Sequence, residues 1–243
     1  MSPAANPDRS ASVILLRPAQ SQGFEVFLAH RPDKQPFLGG RSCFPGGSIQ
    51  KSDHTQRILH RCRGLSGEKA RKILGAHLAP SEALGFWIAA IRMLFEETGV
   101  LFAVKENGEP ATSDAGLNDR LLEIRAARRD GGLDFPSLME RESLFCDAAQ
   151  LAYFSRWQTP ADISRGFEMR FFLAAIRDDQ TPVASATEAT HGSWFAPDRA
   201  LQLFSRGDLP MAFATFTSLR TLADFGSVKS LFNEFRKEMP EKQ

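Results

Sequence analysis

The chain has 243 residues, 42% hydrophobic and 24% charged, the composition of a globular protein with enough apolar surface for a real core. Thirty basic residues against twenty-nine acidic ones leave a net charge of +1, which excludes the basic field of a typical nucleic-acid-binding domain. No apolar run reaches the ~18–20 residues of a membrane span, and the N-terminus lacks the charged start and long apolar stretch of a signal peptide. The three cysteines, Cys43, Cys62 and Cys146, form neither a disulfide framework nor a zinc pattern. The expectation is a cytoplasmic protein with neither membrane nor nucleic acid as partner; the oligomeric state stays open, a homodimer included.

Residues 1–10 are small and polar and read as a disordered lead-in. Ala11–Arg17 and Phe24–His30 read as paired strands, with a turn at Pro18–Gly23 between them. Arg31–Arg41, rich in Pro and Gly, reads as a loop. It leads through Ser42-Cys43-Phe44-Pro45 into a glycine turn at Gly46-Gly47. Residues 48–80 are polar and basic, with a weak helical pattern around Glu68–Leu78, and read as an insertion packed on the surface. Ser81–Thr98 is the clearest helix. Ser81 is expected as its N-cap, Glu82 in its first turn, and Gly99 as its C-terminal cap. Trp87, Ile88, Ile91, Leu94 and Phe95 recur at helical spacing on one apolar face. Val100–Val104 starts another strand, and Leu117–Arg129 and Phe135–Leu144 read as helices. Leu151–Trp157, Phe167–Ile176 and Ser193–Phe195 read as strands. Ala196–Phe204, Met211–Phe225 and Val228–Glu238 read as helices. Strands and helices without regular alternation predict an α+β fold, a single domain over 11–243.

The chemistry concentrates in Arg92-Met93-Leu94-Phe95-Glu96-Glu97-Thr98-Gly99-Val100. Two adjacent glutamates at a helix C-terminus repel each other and face the wrong end of the dipole. An acidic pair on a solvated face is the plain alternative. A hard divalent cation is the functional one, because Mg²⁺ takes one or two carboxylates and completes its shell with water and substrate phosphates. Position 93 lies one turn before Glu96–Glu97 and projects between them; methionine stands there.

The pattern Arg-x-Leu-x-Glu-Glu-x-Gly-Val, preceded by Phe44-Pro45-Gly46-Gly47, resembles the box of the Nudix hydrolase family. That box is a glycine, five residues, a glutamate, seven residues, then Arg-Glu-aliphatic-x-Glu-Glu-x-Gly-aliphatic. Gly47 to Arg92 is 45 positions, so about 31 residues are inserted relative to the box. The insertion resembles the branch of the peroxisomal coenzyme A diphosphatases and their bacterial relatives. Ala89-Ala90-Ile91-Arg92, Trp157-Gln158-Thr159-Pro160, Arg170-Phe171-Phe172-Leu173 and Glu188 ahead of Trp194 resemble that branch too. The resemblance covers about residues 11–225. It implies a Nudix α/β/α sandwich with a mixed sheet, an insertion before the box helix and extra C-terminal helices. It also implies Mg²⁺- or Mn²⁺-dependent hydrolysis of a nucleoside-diphosphate-linked compound, coenzyme A or acyl-CoA.

On that resemblance Glu96, Glu97 and the Gly47 backbone are the metal ligands. Arg92 braces the acidic helix, and Gly46, Gly47, Arg41 and Arg170 are expected at the substrate, with Arg165 a further phosphate-facing arginine. Two departures follow. The first box glutamate has no evident counterpart: Glu82 lies about 21 Å from Glu96 along a continuous helix, too far for one cluster. Met93 stands where the family has the first glutamate of Arg-Glu-x-x-Glu-Glu, and a thioether neither binds hard Mg²⁺ nor accepts a proton at neutral pH. The expected base therefore lies outside the helix: Glu188 first, His191 second. A Nudix-fold protein that binds the nucleotide and no longer cleaves it is the other reading.

Overall fold

The computed structural model describes residues 8–20, 22–35, 38–127, 132–158, 167–183, 189 and 191–236. Strand β1 (Asp8–Pro18) is buried from Ser10 to Leu16. Val13 and Leu15 enter one apolar core, and Ile14 and Leu16 the other. That alternation, apolar on both faces, is why the segment reads as a continuous hydrophobic run rather than as polar–apolar steps. The strand begins at Asp8, so the last residues of the expected lead-in belong to it, and Ser10 is fully buried.

β2 (Phe24–His30) returns antiparallel to β1, with Leu16 opposite Val26 and Pro18 opposite Phe24. Beyond that register the two strands diverge. The segment Ser42–Ser48 lies in the fork: β3 (Ser42–Cys43) pairs with the end of β2, and β4 (Gly46–Ser48) with the start of β1. The main sheet is completed by β8 (Leu151–Gln158), β9 (Phe167–Ala175) and β10 (His191–Phe195), in the order β10-β2-β1-β9-β8. β9 runs parallel to β1 and the other pairings are antiparallel, so the sheet is mixed. A three-stranded sheet of β5 (Cys62–Arg63), β7 (Phe145–Asp147) and β6 (Ala103–Val104) stands apart; pieces this short have no readable period in sequence.

One face of the main sheet is covered by α1 (Gln56–Leu59), α2 (Gly67–Leu74), α3 (Pro80–Thr98), α4 (Ala115–Ala127) and α5 (Phe135–Arg141). The other carries α6 (Pro197–Arg206), α7 (Phe213–Leu222) and α8 (Val228–Arg236). This is an α+β fold of helices, sheet and helices. α3 is its central rod: every residue from Ala83 to Arg92 is buried. Each large apolar side chain so buried contributes about 1.5–3 kcal/mol, and this packing, more than intrinsic propensity, holds the helix.

Two local expectations are corrected. The N-cap of α3 is Ala79, not Ser81; Pro80 takes the first helical position, where its missing N–H costs nothing, and Glu82 accepts the Ala79 N–H at 3.2 Å. The segment before α3 is more than a polar surface insertion: Ile58, Ala70, Leu74 and Leu78 are buried in the α3 core.

Candidate active site

Gly46 and Gly47 form strand rather than turn, opposite Ser12 and Ala11 of β1. A Cβ on Gly46 would lie 2.5 Å from the Ala11 carbonyl oxygen and 2.6 Å from Ser12 Cα, so only glycine lets β4 approach β1 this closely. On its open side the glycine strand meets α3. The Gly46 N–H donates to Glu97 Oε2 at 3.2 Å. A Cβ on Gly47 would collide with the Met93 methyl and come within 3.3 Å of its sulfur. Gly46 is expected at the substrate; its N–H is instead taken up by the Glu97 carboxylate of α3. Glu97 is 6% exposed, and the Glu96 side chain 21%.

Arg92 fixes this arrangement from below. Its Nε and Nη2 donate to the two oxygens of Asp53 at 2.7 and 2.8 Å, and both side chains are 1% exposed. Nη1 reaches Glu96 Oε2 at 3.0 Å and the Met93 sulfur at 3.0 Å, while Nη2 also donates to the Ser48 carbonyl at 3.0 Å. Burial alone would pull the guanidinium down. The Asp53 hydrogen bonds and charge, with Glu96, outweigh it and hold the pKa above its ordinary value. Arg92 thus braces the acidic helix as the sequence implied. Its main partner, Asp53, was missed, although a countable signal existed: Asp53 follows Gly47 with five residues between, the spacing of the box glutamate. The 31 extra residues therefore lie between Asp53 and Arg92, and the loop from Ser48 to Asp53 belongs to the box.

Arg31 is a second residue not foreseen. It follows the end of β2 directly, and its backbone N–H donates to the Arg41 carbonyl at 3.0 Å. It hydrogen-bonds the Cys43 thiol, which burial and the nearby Glu97 charge push up to about 11 against the lowering effect of Arg31. Arg31 and Glu97 thus both act on the Cys43 thiol of β3.

The other expected residues fall elsewhere. Arg170 is fully buried, 2.8 Å from Glu168 and donating to the Leu74 carbonyl at 3.0 Å, with its guanidinium over the Phe86 ring. Its fork is occupied inside the α3 core, two strands from Gly47 through Ala11. Arg41 is exposed and donates to the Met211 carbonyl at 3.3 Å, holding the start of β3 to the chain before α7. His191 stacks on His30 with ring centroids 5.0 Å apart, and His30 Nδ1 is 3.3 Å from Ser42 Oγ. Glu188 and Arg165 lie outside the described residues.

Among the described residues no three or more His, Cys, Asp or Glu side chains converge into a protein-only metal cage. The adjacent carboxylates of Glu96 and Glu97 instead fit a hard cation that takes two carboxylates and fills its shell with water and substrate oxygens. Asp53 is committed to Arg92 and Met93 contributes no oxygen.

A family profile described as the NUDT19 Nudix domain matches residues 4–222. The chain belongs to the Nudix hydrolase family. Acyl-coenzyme A diphosphatase NUDT19 of Homo sapiens is 25% identical over 242 residues, covering 88% of this chain and 64% of that protein. The Xenopus laevis protein of the same name is 24% identical over 237 residues, covering 86% and 62%. The chain thus spans a little under two thirds of the length of these relatives. The crystal structure of a Nudix hydrolase from Alicyclobacillus acidocaldarius superposes with a TM-score of 0.76 at 20% identity, over 95% of this chain and 97% of that one, and shows the shared Nudix fold. Among the described residues no helix is long and apolar enough to cross a membrane.

Proposed function

We propose that this Nudix domain hydrolyses the pyrophosphate bond of a nucleoside-diphosphate-linked compound, with coenzyme A or acyl-CoA as the substrate class. The observation that carries the reading is the contact of Glu97 with the Gly46 N–H, which sets this carboxylate against the glycine strand, while Arg92, paired with Asp53, holds Glu96 and the Ser48 carbonyl of the same strand. The substrate class rests on the similarity to two proteins named acyl-coenzyme A diphosphatase. Glu96, Glu97 and the Gly47 carbonyl would hold a Mg²⁺ or Mn²⁺ ion, which when bound neutralises charge on the diphosphate and lowers the pKa of a coordinated water. The chain's own share is positioning. Arg92 holds Glu96 in place through an ion pair, and the Gly46 N–H fixes the Glu97 carboxylate. Met93 accepts no proton, so the base lies outside α3, with Glu188 and then His191 as candidates.

A second reading has an observation of its own. The Met93 thioether packs on Gly47 and receives an Arg92 N–H, so a side chain with no hard oxygen fills the space a third acid would use. On that reading the chain binds the nucleotide without cleaving it. Purified protein assayed with Mg²⁺ or Mn²⁺ against coenzyme A, acyl-CoA, ADP-ribose, NADH and diadenosine polyphosphates, beside Met93→Glu, separates the two. Turnover of a coenzyme A compound by the wild type supports hydrolysis. A silent wild type beside an active Met93→Glu rejects it in favour of the binding protein.

A further inference from the structure

α3 ends in a way the acidic pair makes costly. The last carbonyls of a helix lack intrahelical partners, and the negative end of the dipole is there reinforced by two glutamates. The last turn of α3 contains no basic residue of its own. The missing cation comes from α4. Arg125 Nε donates to the Glu96 carbonyl at 3.0 Å, and Nη2 donates to the Glu97 carbonyl at 2.8 Å. The same Nη2 reaches the Val183 carbonyl at 2.9 Å. One planar fork therefore ties two stretches of backbone that are far apart in sequence.

The second stretch is held to the end of α3 independently. The Val183 N–H donates to the Thr98 carbonyl at 2.8 Å, and the Gln180 side chain bonds both polar groups of the Leu101 backbone, at 2.8 and 3.4 Å. Residues 180–183 thus lie along residues 98–101. Side chains of a helix lean towards its N-terminus, so Glu96 and Glu97 reach back over Arg92 and Gly46. Arg125 grips the backbone of the same two residues from the other end.

We propose that Arg125 is a positioning residue for the Nudix reaction: it locks the last turn of α3 and the chain at Val183 into one unit, fixing the backbone that carries the two carboxylates. The inference rests on the hydrolase reading for its catalytic consequence, while the coupling of the two stretches stands on the hydrogen bonds alone. Arg120, on the same helix, is the control: it pairs with Glu142 at 3.4 Å and donates to the Gly116 carbonyl at 3.0 Å.

The test compares wild type, Arg125→Ala, Arg125→Lys and Arg120→Ala by amide hydrogen exchange and by steady-state kinetics on acyl-CoA with Mg²⁺. In Arg125→Ala the Gly99 and Val183 amides, which donate to Phe95 and Thr98, should exchange faster together. Its kcat should fall roughly 10–100-fold, the usual loss when a residue supporting a metal ligand is removed, with KM changed far less. Arg125→Lys keeps the charge without the fork and should recover part of kcat; it also carries the test if the alanine variant unfolds α4. Arg120→Ala should change neither readout. Faster exchange at one amide alone, or a kcat in Arg125→Ala equal to that of Arg120→Ala, would overturn the proposal. A wild type without turnover sinks the hydrolase reading, and the paired exchange then decides the coupling by itself.

Discussion

Asp53 is a single residue on which several contacts converge. It binds both Nε and Nη2 of Arg92 in a nearly water-free position, and Arg92 in turn holds Glu96 and the Ser48 carbonyl. Removing one partner of a buried pair strands the other charge, a loss of about 3–5 kcal/mol. Asp53→Ala should therefore lower the urea unfolding free energy by that order, and a loss within the range of an ordinary surface substitution would refute the brace. A second residue carries a pH signature. Burial, with the Asp147 charge adding to it and the Ala148 amide opposing, pushes the Cys62 thiol from 9.0 up to about 12. Above pH 9 the unfolded chain gives up this proton while the folded chain keeps it. The stability contributed by the neutral thiol is thus complete below pH 9 and drains away as pH rises towards 12. Between pH 8 and about 10.5 the urea midpoint should fall more steeply for wild type than for Cys62→Ala; parallel slopes would contradict the burial argument.

At the scale of elements the site is a meeting of two pieces, the glycine strand β4 and the carboxylate end of α3. Both were legible. The apolar period and the Gly99 cap mark the helix, although its N-cap was misplaced, and adjacent glycines before an acidic helix mark the strand as special. Their conformation was less so: two adjacent glycines read as a tight turn, and only the fork between β1 and β2 turns them into paired strand. Asp53 was concealed by the long connection after it, which made the box spacing look broken throughout. Arg31 and Arg125 reach the site from a loop and from another helix, and no local period reports such contacts. The close approach of β4 to β1 yields its own expectation. In Gly46→Ala the new methyl would meet Ala11 and Ser12 backbone atoms, so the strand must shift, at about 1–3 kcal/mol. Because Glu97 is bonded to that N–H, activity should drop further than stability explains. A fully folded, fully active Gly46→Ala would show that the contact is not needed.

For the whole molecule, the sheet separates two cores with different duties. The α3 side carries the acids, Arg92, Asp53 and Arg170; the side of α6, α7 and α8 contributes apolar packing, with Leu219, Leu222 and Leu231 fully buried. The α+β class and the C-terminal helices followed from the order of periodic segments, whereas the sheet order did not, since the parallel β1–β9 pairing joins residues about 160 apart. If the division holds, Leu219→Ala should destabilise the domain by about 2–5 kcal/mol while leaving KM and kcat near wild type below the melting transition. A large change in KM without loss of stability would show that the far core shapes the site.

The most direct test of the central claim is acyl-CoA turnover by wild type and Glu97→Gln, measured side by side with Mg²⁺ or Mn²⁺. The glutamine keeps an oxygen for the Gly46 N–H and removes the negative charge, so the fold is retained and the metal donor is lost. The account predicts clear turnover by the wild type and a loss of at least ~10²-fold in Glu97→Gln, at an unchanged Tm. Equal rates in the two proteins would contradict it, and so would a wild type silent under all conditions.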